Sequence, residues 1–193
     1  NEDCLKELLG YCQRQDVGAV GARLFYHDDT VQHGGVIVGY GGIAGHAFLG
    51  EPKESLGYFG RLVAAQDLSA VTAACMLVKN SVFEEVQGLN EELKVAFNDI
   101  DFCMKIRKAG YLIVYNPYAE LYHYESKSRG MEDSPEKKKR FNSEKSIFRK
   151  NWPQILKNGD PYYNPNLSLM VKDYSIKSEQ EEYLIESLEE ENE

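Results

Sequence analysis

AFNDIDFCMKIRKAGYLIVYNP, running from Ala96 to Pro117, is the stretch from which the fold can be read. An apolar segment stops at Asn98-Asp99, and Ile100, Cys103 and Met104 then recur at the spacing of one helical face. Gly110 suits the exit of that helix, which is expected over 98–108. Tyr111 to Tyr115 reads as the strand that follows, and Pro117, with no N–H to give to a ladder, ends it. A helix feeding straight into a strand is half of a βα repeat, so an α/β sheet is the first expectation.

Working outward, Asp3 to Arg14 reads as a helix, with Leu5, Leu8, Leu9 and Cys12 on its buried face. Val17 to Phe25 reads as a strand in which Gly18 and Gly21 mark a close neighbour. His27 to Thr30 makes a turn, and Val31 to Val38 returns as a second extended segment. Gly39 to Gly50 holds five glycines and is too loose for regular structure: a mobile loop over a site, or a surface excursion. It lacks the Gly-Lys-Ser/Thr ending of a P-loop, which excludes that kind of phosphate cradle. Ala70 to Val78 is an apolar run of strand length and is expected to be a buried central strand.

Asn80 or Ser81 is placed to cap a short helix over 82–86, left through Gly88. Ala119 to Tyr124 reads as another extended segment. Ser134-Pro135 announces a helix that runs to about Lys150, and the chain after Trp152 reads as irregular. The mixture of βα pairs and β-hairpins predicts an α/β sheet with an antiparallel edge, α+β being the alternative. The expected division is one domain over 1–157, then an irregular extension and acidic tail over 158–193.

The 193 residues, 42% apolar and 27% charged, suit one soluble domain with a core of its own. No apolar run approaches the ~20 residues of a membrane helix. Cys4, Cys12, Cys75 and Cys103 lie far apart without zinc or redox spacing, so reduced thiols and a cytoplasmic setting are expected. Of the net charge of −9, the eight glutamates after Lys177 carry −8, leaving −1 for the rest. The tail from Ser178 onward therefore reads as solvated and dispensable. A near-neutral body argues against nucleic acid as a partner. Lys137 to Arg140 reads as a solvated helix face, with an anionic membrane surface as the alternative contact.

Several residues could carry chemistry. Asp99 and Asp101 fall in the first turn of the helix over 98–108, where carboxylates complement the positive end of the dipole and Asn98 can cap. The functional alternative makes one aspartate a general base, since a strand-to-helix junction holds a carboxylate rigidly at hydrogen-bond distance from a hydroxyl. His123 is either a hydrogen-bonded core histidine or a metal ligand with its second nitrogen fixed. Lys127 and Arg129 either neutralise a diphosphate or are surface charge. His27, His33 and His46 show no ligand spacing, and His33, beside two glycines, lines a site or serves the core.

Taken in order, four blocks resemble family 2 glycosyltransferases, the bacterial group that builds cell-surface polysaccharides. They are VGAVGARLFYHDDTVQHGGV, SAVTAACMLVKNSVFEEVQGLNEEL, AFNDIDFCMKIRKAGY and PYAELYHYESKSRG, spanning roughly Asp16 to Gly130; PYYNPNLSL resembles a segment found after the domain in some members. The resemblance implies a partial GT-A-like fold: a mixed sheet flanked by helices, with an antiparallel hairpin. It implies a nucleotide-sugar donor, a saccharide or lipid-linked acceptor, inversion at the anomeric carbon and a divalent metal, Mn or Mg, on the donor diphosphate. By the same resemblance Asp99 maps onto the base, Asn98 onto a position more often Glu, and His123 onto a late metal ligand. Thr72 and Ala73 map onto the strand beneath donor and acceptor.

The family's Asp-x-Asp metal motif and its nucleotide-binding half would precede a helix like that at Asp3 to Arg14. The chain is therefore expected to be a C-terminal, acceptor-side portion that is inactive alone, binds nucleotide-sugar weakly, and is prone to dimerise. Two other functions stand beside this one: a non-catalytic carbohydrate- or partner-binding module of the same fold, and a metallohydrolase built on His33, His46 and His123.

Overall fold

A computed structural model of the chain describes residues 2–124, 134–179 and 181. The elements run α1 (Cys4–Cys12), β1 (Val17–Phe25), β2 (Val31–His33), β3 (Val36–Val38), β4 (Ala44–His46), β5 (Gln66–Leu68) and β6 (Met76–Val78). Then come α2 (Asn80–Glu85), α3 (Asn98–Lys108), β7 (Leu112–Tyr122), α4 (Pro135–Asn151) and α5 (Pro153–Asn158).

β1 is the spine, and every one of its residues is buried. β7 lies parallel along one edge of it. The other edge is shared by β6, antiparallel at Ala19 to Gly21, and β2, antiparallel at Leu24 and Phe25. β5 closes the far edge of β7 in the antiparallel sense, and β3 and β4 form a separate antiparallel hairpin. The expected mixed sheet with helices and a hairpin is what is found.

α1 packs Cys4, Leu8 and Cys12 on one face of the sheet, against Val20, Leu24 and Val114. Leu5 and Leu9, expected in that interface, are 67% and 54% exposed, because the buried stripe follows i, i+4, i+8 through the cysteines. On the other face α3 and α4 bury Phe102, Cys103, Ile106 and Phe148 against Ala19, Ile113 and Tyr115. Gly18 and Gly21 permit that layer to approach: a Cβ would lie 2.4 Å from Ile106 Cγ2 at the first and 2.5 Å from Val71 Cβ at the second.

The long run Ala70–Val78 is not one central strand. It breaks at Thr72, whose side chain accepts the Ala74 N–H and caps a one-turn 3-10 helix over Ala73–Cys75. The small residues expected to fill a buried strand instead let the chain turn at a site. Pro117 likewise does not end its strand. β7 runs through it at an irregularity where Ala22 pairs with Asn116 and Arg23 with Glu120, and a residue without an N–H costs no ladder bond there. Buried Asn116 closes the bulge by accepting the Tyr118 N–H at 3.1 Å and donating to the Glu7 carbonyl at 2.9 Å.

Part of the glycine-rich loop is ordered as β4, and the chain after Trp152 is helical over α5. α2 starts two residues earlier than expected, with Lys79 rather than Asn80 or Ser81 at its cap. Ser134 does cap α4, accepting the Lys137 N–H at 3.3 Å. Residues expected in an irregular extension contribute to a further core: Tyr163, Leu167 and Tyr174 are buried with Phe25, Phe48 and Leu62. Buried Asp160 anchors them by accepting from the Val38 N–H at 2.8 Å and Ser69 Oγ at 2.6 Å. Glu181, in the stretch expected to be dispensable, is buried and accepts the Leu169 N–H at 2.8 Å. Among the described residues, all four cysteines are free thiols, and no helix is long and apolar enough to cross a membrane.

Candidate functional site

The site is organised by the start of α3. Phe97 caps it with φ +63°, a left-handed conformation that a bulky residue holds only under external constraint. Glu144 of α4 supplies the constraint. Its buried carboxylate accepts the backbone N–H groups of Lys94 at 3.0 Å, Val95 at 3.2 Å and Ala96 at 2.8 Å, so the segment entering the helix is pinned.

Asn98 is consequently the first helical residue, not the cap, and Asp99 follows it in the first turn. Asp99 Oδ2 accepts from Thr72 Oγ1 at 3.0 Å and from the Ala73 N–H at 3.1 Å, while Oδ1 accepts the Ile100 N–H at 2.9 Å. Three donors on a half-buried carboxylate at a helix N-terminus fix its orientation. The segment carrying Thr72 is tied down in turn. Cys103 Sγ donates to the Val71 carbonyl at 3.6 Å, and burial pushes that thiol up to about 12, so it stays a donor.

Asp99 lies on the wall of a cleft of about 360 Å³. α3 contributes Ile100 to the same wall, after Phe97; the hairpin contributes Val36, Ala44 and His46, with Tyr40 and Ile43 from its turn. Phe141 and Lys145 of α4 face them, and Lys172 closes the rim. The cleft thus combines a fixed carboxylate, two ammonium groups and aromatic rings, a lining suited to a sugar that carries an anionic group. The glycine-rich loop read as a lid or an excursion forms one side of it.

Thr72, Ala73 and Asp99 are brought together, and the others lie elsewhere. Asp101 is 2% exposed and accepts the Trp152 indole N–H at 2.7 Å, which ties α3 to the end of α4. His123 follows β7, its backbone N–H donating to the Phe25 carbonyl at 2.8 Å, and it is not on the cleft wall. Its ring Nδ1 is buried with no hydrogen-bond partner among the described residues, as a ligand atom would be. That nitrogen stands alone: no group of three or more His, Cys, Asp or Glu side chains able to hold a metal occurs among the described residues. The described residues do not make a metal site, and the histidines assemble no metallohydrolase centre. Lys127 and Arg129 lie outside the described residues.

His33 and His46 do meet, Nδ1 to Nδ1 at 2.9 Å with rings edge to face. Burial, and then the proximity of His46, holds His33 well below the ordinary histidine range. The pair, together with Phe141, Glu144, Lys145 and Lys172, was not assembled by spacing. The only local signal was the Gln-His-Gly-Gly run, where Gly35 takes φ +102° with a would-be Cβ 2.2 Å from Leu68 Cδ1.

The chain is 51% identical over 177 residues to an uncharacterized protein, y4gI, of Sinorhizobium fredii, covering 91% of this chain and 19% of that one. It is 34% identical over 179 residues to the O-antigen biosynthesis protein RfbC of Myxococcus xanthus, covering 92% of this chain and 14% of that one. Over a shorter stretch of 60 residues it is 37% identical to an N-acetylglucosaminyl-diphospho-decaprenol L-rhamnosyltransferase of Mycobacterium tuberculosis, covering 31% of this chain and 20% of that one. The chain thus spans a fifth or less of the length of these curated relatives. No protein-family model and no solved structure matches it.

Proposed function

We propose that this chain carries the acceptor side of a family 2 glycosyltransferase active site, of the hexosyltransferase type, working in cell-surface polysaccharide synthesis. The observation that carries the reading is Asp99, held by three donors at a helix N-terminus on the wall of a cleft of sugar-binding size. The names of two relatives, one for O-antigen biosynthesis and one for rhamnosyl transfer, support the same class.

In this mechanism an acceptor hydroxyl lies against Asp99, which takes its proton as the oxygen attacks the anomeric carbon of a nucleotide-diphosphate sugar. The new C–O bond forms as the bond to the diphosphate breaks, and the nucleoside diphosphate leaves with the electron pair. The hydrogen bonds to Oδ2 hold the carboxylate still, so that Oδ1 meets the hydroxyl without reorganisation. Phe97 and Phe141 offer apolar faces to a sugar ring, and Lys145 and Lys172 draw a phosphate-bearing substrate into the cleft.

The test is release of nucleoside diphosphate from a panel of nucleotide-sugars, using the protein as encoded with a polysaccharide or lipid-linked acceptor. Asp99→Asn keeps the shape and two of the acceptor positions, so the fold survives while kcat falls about 10²-fold or more. Normal transfer by that variant removes Asp99 from the base role. Saccharide binding without any transfer by the native protein returns the chain to the class of binding modules.

A further inference from the structure

One buried polar arrangement takes no direct part in that mechanism. The backbone N–H of Thr72 donates to His33 Nε2 at 3.3 Å. A peptide N–H can only donate, so His33 Nε2 is an unprotonated acceptor. His33 is fully buried against the ring of Tyr115 and stays neutral, so its single proton sits on Nδ1. That Nδ1–H therefore donates across the 2.9 Å contact to His46 Nδ1, which must be unprotonated in turn. One peptide bond thus fixes the tautomers of two histidines. The same Thr72 donates through its hydroxyl to Asp99 Oδ2. His46, at one end of this chain of donors, and Asp99, at the other, both line the cleft.

Resting on the reading of Asp99 as the base, we propose that His33 and His46 are positioning residues that act on Asp99 through Thr72, and that they do so only while His46 is neutral. A proton added to His46 Nδ1 has to be donated to His33 Nδ1. His33 then has to move its own proton to Nε2, where it confronts the Thr72 N–H, and two donors cannot share that contact. Thr72 loses its anchor and Asp99 loses its fixed orientation. His33 of β2 lies against His46, and the titratable groups that share the cleft with it are Tyr40 from the hairpin turn, Asp99 from α3, Lys145 from α4, and Lys172. Acid that protonates His46 therefore reduces transfer.

The arrangement is read first without any turnover, by ¹⁵N NMR of the histidine rings in the 193-residue chain, assigned with His46→Gln. His33 is expected protonated on Nδ1 and bare on Nε2, and the Thr72 and Ala73 amide resonances are expected to move with the midpoint of His46. His33 protonated on Nε2 at neutral pH, or amides indifferent to His46, overturns the proposal. In the transfer assay, His46→Phe, which cannot accept from His33, should lower kcat roughly tenfold. His46→Gln accepts without titrating and should restore the rate to within about threefold, with the acid limb displaced to lower pH. Equal losses in both variants with an unmoved acid limb overturn the proposal. Absence of transfer by the native protein instead sinks the glycosyltransferase reading, while the NMR result still decides the histidine relay.

Discussion

Glu144→Ala tests whether the approach to α3 is held from outside the helix. In the native chain the carboxylate, whose side chain is 3% exposed, accepts three backbone N–H groups, with the Arg140 guanidinium 3.9 Å away. A hydrogen bond to a charged acceptor contributes about 1.5–3 kcal/mol, and a buried donor left unpaired costs about 1–3 kcal/mol. Lys94 is exposed, so water can replace the acceptor there; Val95 and Ala96 are half-buried and less easily served. Two partly compensated losses give about 2–4 kcal/mol, or roughly 4–16 °C in Tm for a chain of this size. Glu144→Gln keeps one acceptor oxygen but turns a donor toward the other N–H groups, and should lose about half as much. The assay is thermal unfolding followed by circular dichroism, alongside kcat of each variant. If Phe97 is held in its left-handed conformation by this clasp, transfer falls further than stability alone explains. A Tm within ~2 °C of native for Glu144→Ala would refute the reasoning, because three donors to a buried carboxylate cannot be that cheap to lose.

Other perturbations separate the remaining roles. Thr72→Val deletes the hydroxyl that donates to Asp99 while keeping the branched shape, so kcat should fall about tenfold with Thr72→Ser close to native. Equal activity of Val and Ser variants would show that the Ala73 N–H alone holds the base. Lys145→Met and Lys172→Met should raise KM for phosphate-bearing substrates at low salt, with kcat little changed, and the difference should shrink toward ~0.5 M salt. A salt-independent loss would assign these lysines to packing. Native His33 resists protonation, whereas unfolded His33 takes up a proton below about pH 6.5. The unfolded state then binds more protons, so stability is full above that pH and declines as pH falls below it. A Tm unchanged between pH 7.5 and pH 5 would contradict the burial of that ring.

The elements whose apolar spacing is self-sufficient were legible. α3 has the expected bounds because its buried stripe, its acidic first turn and Gly110 all point to one helix. β1 is strand throughout because both of its faces are covered, which its apolar run, interrupted only at Arg23, announces. Errors arose where local sequence was overruled by distant partners. Ala70 to Val78 has the composition of a buried strand, but Thr72 is drawn out of it by His33 and Asp99 and starts a turn. Pro117 reads as a terminator unless the bulge and the Asn116 side chain that stabilises it are known in advance.

The site shows the same division more sharply. Asp99 could be picked out because a carboxylate at a helix start has a local signature. Its function depends on residues with none: Glu144 lies 45 positions later and Lys172 a further 28, and nothing in their neighbours marks them. The histidines mislead in the opposite direction, since His33 and His46 are 13 apart and fit no ligand spacing, yet the β3–β4 hairpin sets His46 opposite Val36 and so brings it back onto His33. The reason is physical. A catalytic carboxylate has to be immobile, and immobility at a helix terminus comes from donors outside the helix, because the helix's own N–H groups supply only one of the three that Asp99 accepts. The other two come from Thr72 and Ala73, themselves held by His33 and by the Cys103 thiol behind Val71. What orients the base is therefore a tertiary network, and a reading confined to neighbouring residues can find the base but not what holds it.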